Sequence, residues 1–142
     1  MSDPIYLAGA REMVLGISRR LGFKEAPATQ IALAVDEALA NVINHGYDRQ
    51  NDKPIWIRIW PKTDGHTPGL RLMIEDEARQ IDPDSICGRD LDDVKPGGLG
   101  VHIIREVMDT VTYERRDKVG MRLTLIKKLD SECTHQTETS NG

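Results

Sequence analysis

A stripe of polar side chains runs along the most regular helical pattern in the chain. Glu37, Asn41 and Asn44 are spaced by four and three residues, so a helix places them on one side, with His45 beside them. Glu37 could take up a proton, and Asn41 offers a carbonyl oxygen of the kind that Mg²⁺ accepts as a ligand. The stripe therefore fits metal-assisted chemistry with a general base. A solvated helix face has the same spacing, so the stripe alone leaves both interpretations open.

Two further features could bind a ligand. Asp76 follows an alternating apolar segment, where its carboxylate could accept a hydrogen bond from an exocyclic amine such as that of adenine. The run GGLG at 97–100 precedes a helical pattern, and a glycine-rich turn at a helix N-terminus suits a phosphate group. Each feature has a plainer interpretation, because aspartates at strand ends often form turns and glycine-rich turns are common before helices. No Gly-Lys-Ser/Thr follows, so the run is not a Walker A motif.

The elements that must position these residues follow from hydrophobic periodicity. We predict that Thr29 is the N-cap of the longest helix and that Gly46 ends it. The predicted elements are helices over 7–21 and 28–45, strands over 55–60 and 70–75, a loop over 77–97, a helix from 98, and strands over 110–116 and 121–128. This order predicts an α+β fold, a two-layer α/β sandwich whose mixed, mostly antiparallel sheet is covered on one face by helices.

Two tryptophans, Trp56 and Trp60, share one face of the first predicted strand. We predict that this face packs in the core or beneath the helices. The alternative is a surface for a partner, because exposed apolar patches are typical of interaction sites.

The composition indicates one ordinary globular domain and excludes several classes of protein. The chain has 142 residues, and its net charge of -4 argues against direct nucleic-acid binding. No apolar run reaches the roughly 18 residues of a membrane span, and the start does not resemble a secretory signal. Cys87 and Cys133 show no CxxC spacing, which argues against a disulfide scaffold or a zinc site and favours the cytoplasm. We predict one domain over 1–129 and a flexible tail over 130–142.

Taken together, these features resemble the ATP-binding domain of the GHKL superfamily, the Bergerat type of fold. Within that superfamily the chain is most similar to the small stand-alone anti-sigma-factor serine/threonine kinases. IALAVDEALANVINHGY resembles the N-box of that family, and IEDEARQIDP resembles its G1 region. GGLGVHIIREVMD resembles the G2 region and MRLTLIKKL the last strand, so that the resemblance covers residues 8–129.

The resemblance implies a role for each matching residue. Glu37 would be the general base that accepts the proton of the attacking hydroxyl, and Asn41 would hold Mg²⁺ between the ATP phosphates. Asp76 would bind the adenine amine. The other residues implied in nucleotide binding are Asn44, His45, Ala78, Gly98, Leu99, Gly100, Val101, His102 and Thr124, the last as the threonine of the adenine site.

The chain departs from the family pattern directly after Asp76. The G1 region usually reads Asp-x-Gly-x-Gly, whereas Ala78 and Gln80 stand at the two glycine positions here. Arg79 between them adds a cation near the nucleotide. Because two flexible positions are replaced by side chains, the loop must follow a different path.

The resemblance implies an ATP-dependent serine/threonine protein kinase that acts as an anti-sigma regulatory factor. Its substrate would be a STAS-type anti-anti-sigma protein, its other partner an RNA polymerase sigma factor, and a homodimer is one state open to it. The alternative is a nucleotide-binding or nucleotide-free interaction module without kinase activity, which the altered G1 region favours and the Glu37–Asn41 pair opposes. A histidine-kinase fragment is disfavoured, because no helical pair with a phospho-accepting histidine precedes the domain.

Overall fold

The computed structural model describes residues 1–63, 65, 67–86 and 99–130. Its elements are α1 (Leu7–Arg20), α2 (Glu25–Asn41), β1 (Ile55–Lys62), β2 (Gly69–Asp76), α3 (Leu99–Val107), β3 (Thr110–Arg115) and β4 (Met121–Lys128). Two short 3-10 turns, Pro4–Tyr6 and Pro83–Ser85, and a π-helical turn, Val42–Gly46, complete it. Gly98 and most of the predicted loop and tail lie outside the described residues, so the proposed domain boundary remains a prediction.

The four strands form one sheet in the order β1-β2-β4-β3, and every described pair is antiparallel. The register aligns Ile57 with Ile74, Ile74 with Leu123, and Leu123 with Tyr113. Because strand side chains alternate between faces, this row points to one side of the sheet. The helices pack on that side, which confirms the predicted two-layer α+β fold.

The core lies between the helices and this face of the sheet. Helix α2 contributes the most to it because nearly its whole circumference is apolar or small, and its alanines let α1 and α3 approach closely. Burying one side chain of the size of leucine contributes about 1.5–3 kcal/mol. The fully buried large side chains of the core are Val14, Ile31, Val35, Leu70, Leu72, Ile74, Ile104 and Leu125.

The start of α2 differs from the prediction. The helix begins at Glu25, with Lys24 at the N-cap and no capping side chain, and Thr29 lies inside it. The Thr29 hydroxyl donates a hydrogen bond of 2.8 Å to the Glu25 carbonyl oxygen. Pro27 is tolerated here because the first N–H groups of a helix have no intrahelical acceptor. The N-cap prediction for Thr29 was therefore wrong.

The end of α2 also differs. Gly46 does not end the helix in a left-handed conformation; it closes the π-helical turn Val42–Gly46. The positive φ angles fall instead on Asp48 and Arg49, at 49° and 64°. Gly46 is needed for a close approach, because a Cβ there would lie 3.0 Å from the Ala78 Cβ.

The tryptophans lie on the face of the sheet opposite the core. The register pairs Trp56 with Glu75 and Trp60 with Arg71, while Ile55 and Ile57 point inward. Trp56 is 39% exposed. The prediction that these tryptophans pack in the core or beneath the helices was wrong, because the three isoleucines of β1 occupy that side.

Among the described residues, no helix is both long enough and apolar enough to cross a lipid bilayer.

Candidate functional site

A pocket of about 800 Å³ opens where the end of α2 meets α3 and the end of β2. Its wall combines carboxylate, amide and imidazole groups with apolar side chains. The lining residues are Asn41, Val42, His45, Gly46, Asp48, Asp76, Ala78, Arg79, Ile81, Ser85, Ile86, Val101, Tyr113 and Met121. The pocket has the size and mixed polarity of a small-molecule site.

The first turn of α3 meets α2 at the edge of the pocket, where Asn41 and Val101 line it; Glu37 and Gly100 lie next to this edge and are not lining residues. A Cβ built on Gly100 would lie 2.8 Å from Glu37 Oε2 and 3.5 Å and 3.6 Å from the side-chain nitrogen and oxygen of Asn41. A side chain at this position would therefore have to displace the Glu37 carboxylate, whereas glycine lets the α3 backbone lie against it. The first-turn N–H groups of α3 have no intrahelical acceptor, so this edge is suited to an anion. Among the described residues, the Glu37 carboxylate has no hydrogen-bond partner.

The π-helical turn after Asn41 changes which polar side chains reach the pocket. A π turn holds more residues than an α turn, so it rotates the side chains that follow it. Asn44 and His45 are both exposed, but only His45 lines the pocket. Of the stripe Glu37, Asn41 and Asn44, only Asn41 lines the pocket.

Asp76 forms the opposite end of the pocket. It is 6% exposed, and its Oδ1 accepts hydrogen bonds from the amides of Ala78 (2.9 Å) and Met121 (3.1 Å). These bonds orient the carboxyl group and leave Oδ2 for a ligand. Burial raises the pKa of Asp76 above its ordinary value, while the two amides and the charge of Arg116 act in the opposite direction.

The segment after Asp76 is tied to the β3–β4 turn by a glutamine. The Gln80 side-chain amide donates to the carbonyl oxygens of Arg116 and of Gly120, the latter at 3.3 Å. Arg116 Nη1 in turn donates to the Asp76 carbonyl oxygen at 2.6 Å. Gly120 has a φ of 88°, and a Cβ there would overlap the Asp76 backbone. The altered G1 segment is therefore held by side-chain hydrogen bonds that glycines could not make.

A tyrosine hydroxyl also holds the segment that follows Asp76. Buried Tyr47 accepts a hydrogen bond from the Glu77 amide at 2.6 Å and donates one to the Pro54 carbonyl oxygen at 2.6 Å. It thereby links the start of β1 to the end of β2. Sequence reasoning did not predict the supporting roles of Tyr47 and Gln80. The available signal for Tyr47 was a polar aromatic residue at the end of the N-box, and for Gln80 it was a side chain at a glycine position.

The outer wall comes from the predicted loop. Arg115 Nε donates to the Ile81 carbonyl oxygen and Arg105 Nη2 to that of Ile86, both at 3.1 Å. With Tyr113, these isoleucines give the pocket an apolar lining that could accommodate a planar ring. Sequence reasoning assigned none of these residues to the site. Ile81 and Ile86 lie in a segment without periodicity, and no motif marks Tyr113.

Two of the predicted residues lie away from the pocket, and a third lines it. Thr124 pairs with Met73 and Thr112 on the face opposite the core, so it cannot reach the pocket, and Met121 contacts Asp76 instead. His102 lies 3.4 Å from Glu106 and is not a lining residue. Val101 does line the pocket.

Two more predictions concern residues near the edge of the described chain. Leu99 begins α3, so its amide belongs to the first turn, and Gly98 lies outside the described residues. Both therefore remain predictions. The position of Ala78, buried in the pocket wall beside Asp76, supports its predicted place in the site.

The donor set fits a magnesium nucleotide. In the part of the chain that the structure describes, no three His, Cys, Asp or Glu side chains cluster as a metal cage. Mg²⁺ does not need one, because it usually keeps several waters and takes one or two protein oxygens together with substrate phosphates. The Asn41 oxygen beside the α3 turn suits that arrangement, and Asp76 suits an amine at the other end.

The comparisons with known proteins agree with this geometry. A family model, the histidine kinase-like ATPase domain, matches residues 1–127. The serine-protein kinase RsbW of Halalkalibacterium halodurans is 26% identical over 89% of this chain and 78% of its own length. RsbW of Bacillus subtilis is 24% identical over 99% of this chain and 89% of its own length.

Similarity of fold extends to solved structures. Two structures of a blue-light-activated histidine kinase from Erythrobacter litoralis EL346 match 88% of this chain, with TM-scores of 0.56 and 0.60 and identities of 21% and 20%. The chain spans 60% and 41% of the lengths of those two structures. At such identities the likeness concerns the fold alone.

Proposed function

Because this chain belongs to the histidine kinase-like ATPase family, we propose that it is an ATP-dependent protein kinase that phosphorylates a serine or threonine hydroxyl of a partner protein. The family uses ATP, and relatives along the whole chain are named serine-protein kinases. The observation that carries the proposal is the contact of the Glu37 and Asn41 side chains with the first turn of α3. This contact supports the proposal because the residues that we assign as base and metal ligand lie beside the first-turn amides of α3.

Adenine binding is assigned to the Asp76 end of the pocket. The exocyclic amine donates to the free oxygen of Asp76, and the ring lies among the apolar side chains of Ile81, Ile86 and Tyr113. Ala78 leaves room beside the ring. This orientation directs the phosphates toward α3 and the end of α2, where His45 and the amide of Val101 lie.

Phosphoryl transfer is assigned to the other end. Asn41 holds Mg²⁺, which when bound neutralises charge on the phosphate oxygens. Glu37 accepts the proton of the attacking hydroxyl as the oxygen forms its bond to the γ-phosphorus and the bond to the β-phosphate oxygen breaks. The products are ADP and a phosphorylated side chain. The α3 amides hold the phosphates in line, so that positioning supplies much of the catalysis.

The partners are proposed from the family resemblance. The substrate is a STAS-type anti-anti-sigma protein, and the unphosphorylated substrate competes with an RNA polymerase sigma factor for the kinase. Such a switch operates in the cytoplasm. A homodimer is compatible with this proposal.

The test is Glu37→Gln, with Glu12→Gln on the exposed side of α1 as the matched control. We expect Glu37→Gln to bind ATP–Mg²⁺ like the wild type in calorimetry. Transfer of labelled γ-phosphate to a purified STAS-domain protein should fall by about 10²–10⁴-fold, the usual contribution of a general base. The control should transfer normally.

Two results would contradict the proposal. Parallel loss of ATP binding and transfer in Glu37→Gln would assign Glu37 a structural role. Failure of the wild-type protein to bind ATP with or without Mg²⁺ would favour the interaction module without kinase activity.

A further inference from the structure

The face of the sheet away from the helices carries an unusual set of side chains. We call it the open face and define it by Trp56, Arg58, Trp60, Arg71, Glu75 and Arg122, all of which point outward in the strand register. Arg116, directly after β3, reaches the same surface. The Arg58 side chain is 60% exposed. The core and the nucleotide pocket lie on the other side of the sheet.

A single buried carboxylate organises three of the arginines. The Glu75 side chain is 5% exposed and lies 2.9 Å from Arg58, 2.9 Å from Arg122 and 3.7 Å from Arg116. Glu114 lies opposite Arg122 in the β3–β4 register and is a second carboxylate on this face. The four arginines of the open face and these two glutamates leave it a net charge of +2. Shared ion pairing also holds the guanidinium groups in place before any ligand binds.

The two tryptophans support the arginines by stacking. The Arg116 guanidinium carbon lies 5.1 Å from the Trp56 ring centre, and that of Arg71 lies 5.9 Å from the Trp60 ring centre. These are cation–π distances. The arrangement is a rigid, positively charged and partly aromatic surface on a chain whose net charge is -4.

We propose that the open face docks an acidic segment of a partner protein. Charge complementarity selects this occupant, because carboxylates can pair with the exposed edges of guanidinium groups that Glu75 leaves unneutralised. A second copy of the chain would bring two such clusters face to face, and their like charges would repel. A single-stranded nucleic acid stacks its bases on aromatic side chains, whereas here an arginine already stacks on each tryptophan. The proposal does not depend on the kinase activity.

Binding to the open face can be measured by tryptophan fluorescence. The chain has two tryptophans, and both lie on the open face, so intrinsic tryptophan emission reports on this surface alone. We expect the peptide decaglutamate to change the emission saturably, although the net charge of the whole protein repels it. Added salt should weaken this binding. Arg58→Gln should raise the Kd about three- to fivefold, as expected for one exposed charge pair.

The variant should fold, because Arg116 and Arg122 still pair with Glu75. Arg20→Gln, at an exposed position in the last turn of α1, is the matched control for the loss of one charge and should leave the Kd unchanged. Equal weakening in both variants, or no change in emission with decaglutamate, would overturn the proposal. So would tighter binding of decathymidylate, which would indicate a nucleic-acid surface. Emission that shifts with protein concentration, together with a dimer in sedimentation, would assign the face to a second copy.

Discussion

Gln80 stands at one of the two glycine positions of the G1 region, and its side chain makes hydrogen bonds that a glycine could not make. Glycines at the G1 positions let a backbone turn closely, whereas here a side-chain amide bridges that segment to the carbonyl oxygens of Arg116 and Gly120. Arg116 then holds the Asp76 carbonyl oxygen. Asp76, whose carboxylate is proposed to bind adenine, is therefore supported by side-chain contacts of Gln80 and Arg116.

At this scale we predict that Gln80→Glu weakens recognition of the adenine amine. A carboxylate has no N–H to donate, so the Arg116 carbonyl oxygen loses the Gln80 donor and the Gly120 carbonyl oxygen keeps only the Arg116 amide. The support of Asp76 therefore loosens. We expect the affinity for ATP to fall about tenfold, which is about 1.4 kcal/mol. Inosine triphosphate lacks the exocyclic amine, so its affinity should fall less and the ATP preference should shrink. Calorimetry with both nucleotides measures this.

Gln30→Glu, on the exposed side of α2, is the matched control for the added charge. It should leave the ratio of the two affinities unchanged. An equal loss of ATP and inosine triphosphate affinity in Gln80→Glu would show that Gln80 does not act through Asp76.

At the scale of elements, the site depends on how closely two helices approach. The first turn of α3 lies against α2 because Gly100 has no side chain, and this brings backbone amides to Glu37 and Asn41. The end of α2 is equally specific, since the π-helical turn directs His45 rather than Asn44 toward the pocket.

We predict that Gly100→Ala separates activity from stability. Alanine favours a helix over glycine by about 1 kcal/mol, so the variant should unfold at a similar or higher urea concentration. Its Cβ must displace the Glu37 carboxylate, so phosphoryl transfer should fall at least tenfold. Gly16→Ala is the control, because nothing lies within 4 Å of its added Cβ, and it should transfer normally. Normal transfer by Gly100→Ala would contradict the proposed position of Glu37.

A second prediction at this scale concerns the link between β1 and β2. Tyr47→Phe removes both hydrogen bonds of the hydroxyl and leaves the Glu77 amide without its partner. The free energy of unfolding should fall by about 1–3 kcal/mol in urea denaturation. Tyr6→Phe, at an exposed tyrosine, should change it little. Equal effects of the two substitutions would show that the link contributes nothing to stability.

For the molecule as a whole, Asp76 makes stability depend on pH. Because its pKa is raised on folding, the folded protein binds this proton more tightly than the unfolded chain does. The resulting stabilisation is complete below the ordinary pKa of aspartate and is lost as the pH rises through the raised value. A functional carboxylate thus lowers the stability of the fold at neutral pH.

We predict that Asp76→Asn changes this dependence. Asparagine keeps an oxygen for the amides of Ala78 and Met121 but cannot ionise. Relative to the wild type, its free energy of unfolding should therefore increase as the pH rises through the same window. Urea denaturation at a series of pH values measures the difference, with Asp52→Asn, at an exposed aspartate, as the matched control. A constant difference between variant and wild type would contradict the prediction.

The sequence by itself determined the elements and the local pairs. Helical and alternating periodicity predicted all three helices, all four strands and the two-layer fold, since that periodicity depends only on backbone geometry over a few residues. That Glu37 and Asn41 lie on the same side of α2 followed from their spacing of about one helical turn. The start of α2 was placed late because Thr29 was interpreted as the N-cap, whereas the helix begins at Glu25 and its first turn tolerates Pro27.

Only the tertiary structure decided contacts between distant segments. The amide of Met121 reaches Asp76 across 45 positions, and Gln80 reaches Arg116 across 36. The face on which Thr124 lies depends on the register of β4 against its neighbours, and a shift of one residue would have reversed it. The same register placed Trp56 on the open face. Such contacts depend on how strands pair and helices pack, which no local pattern in the sequence specifies.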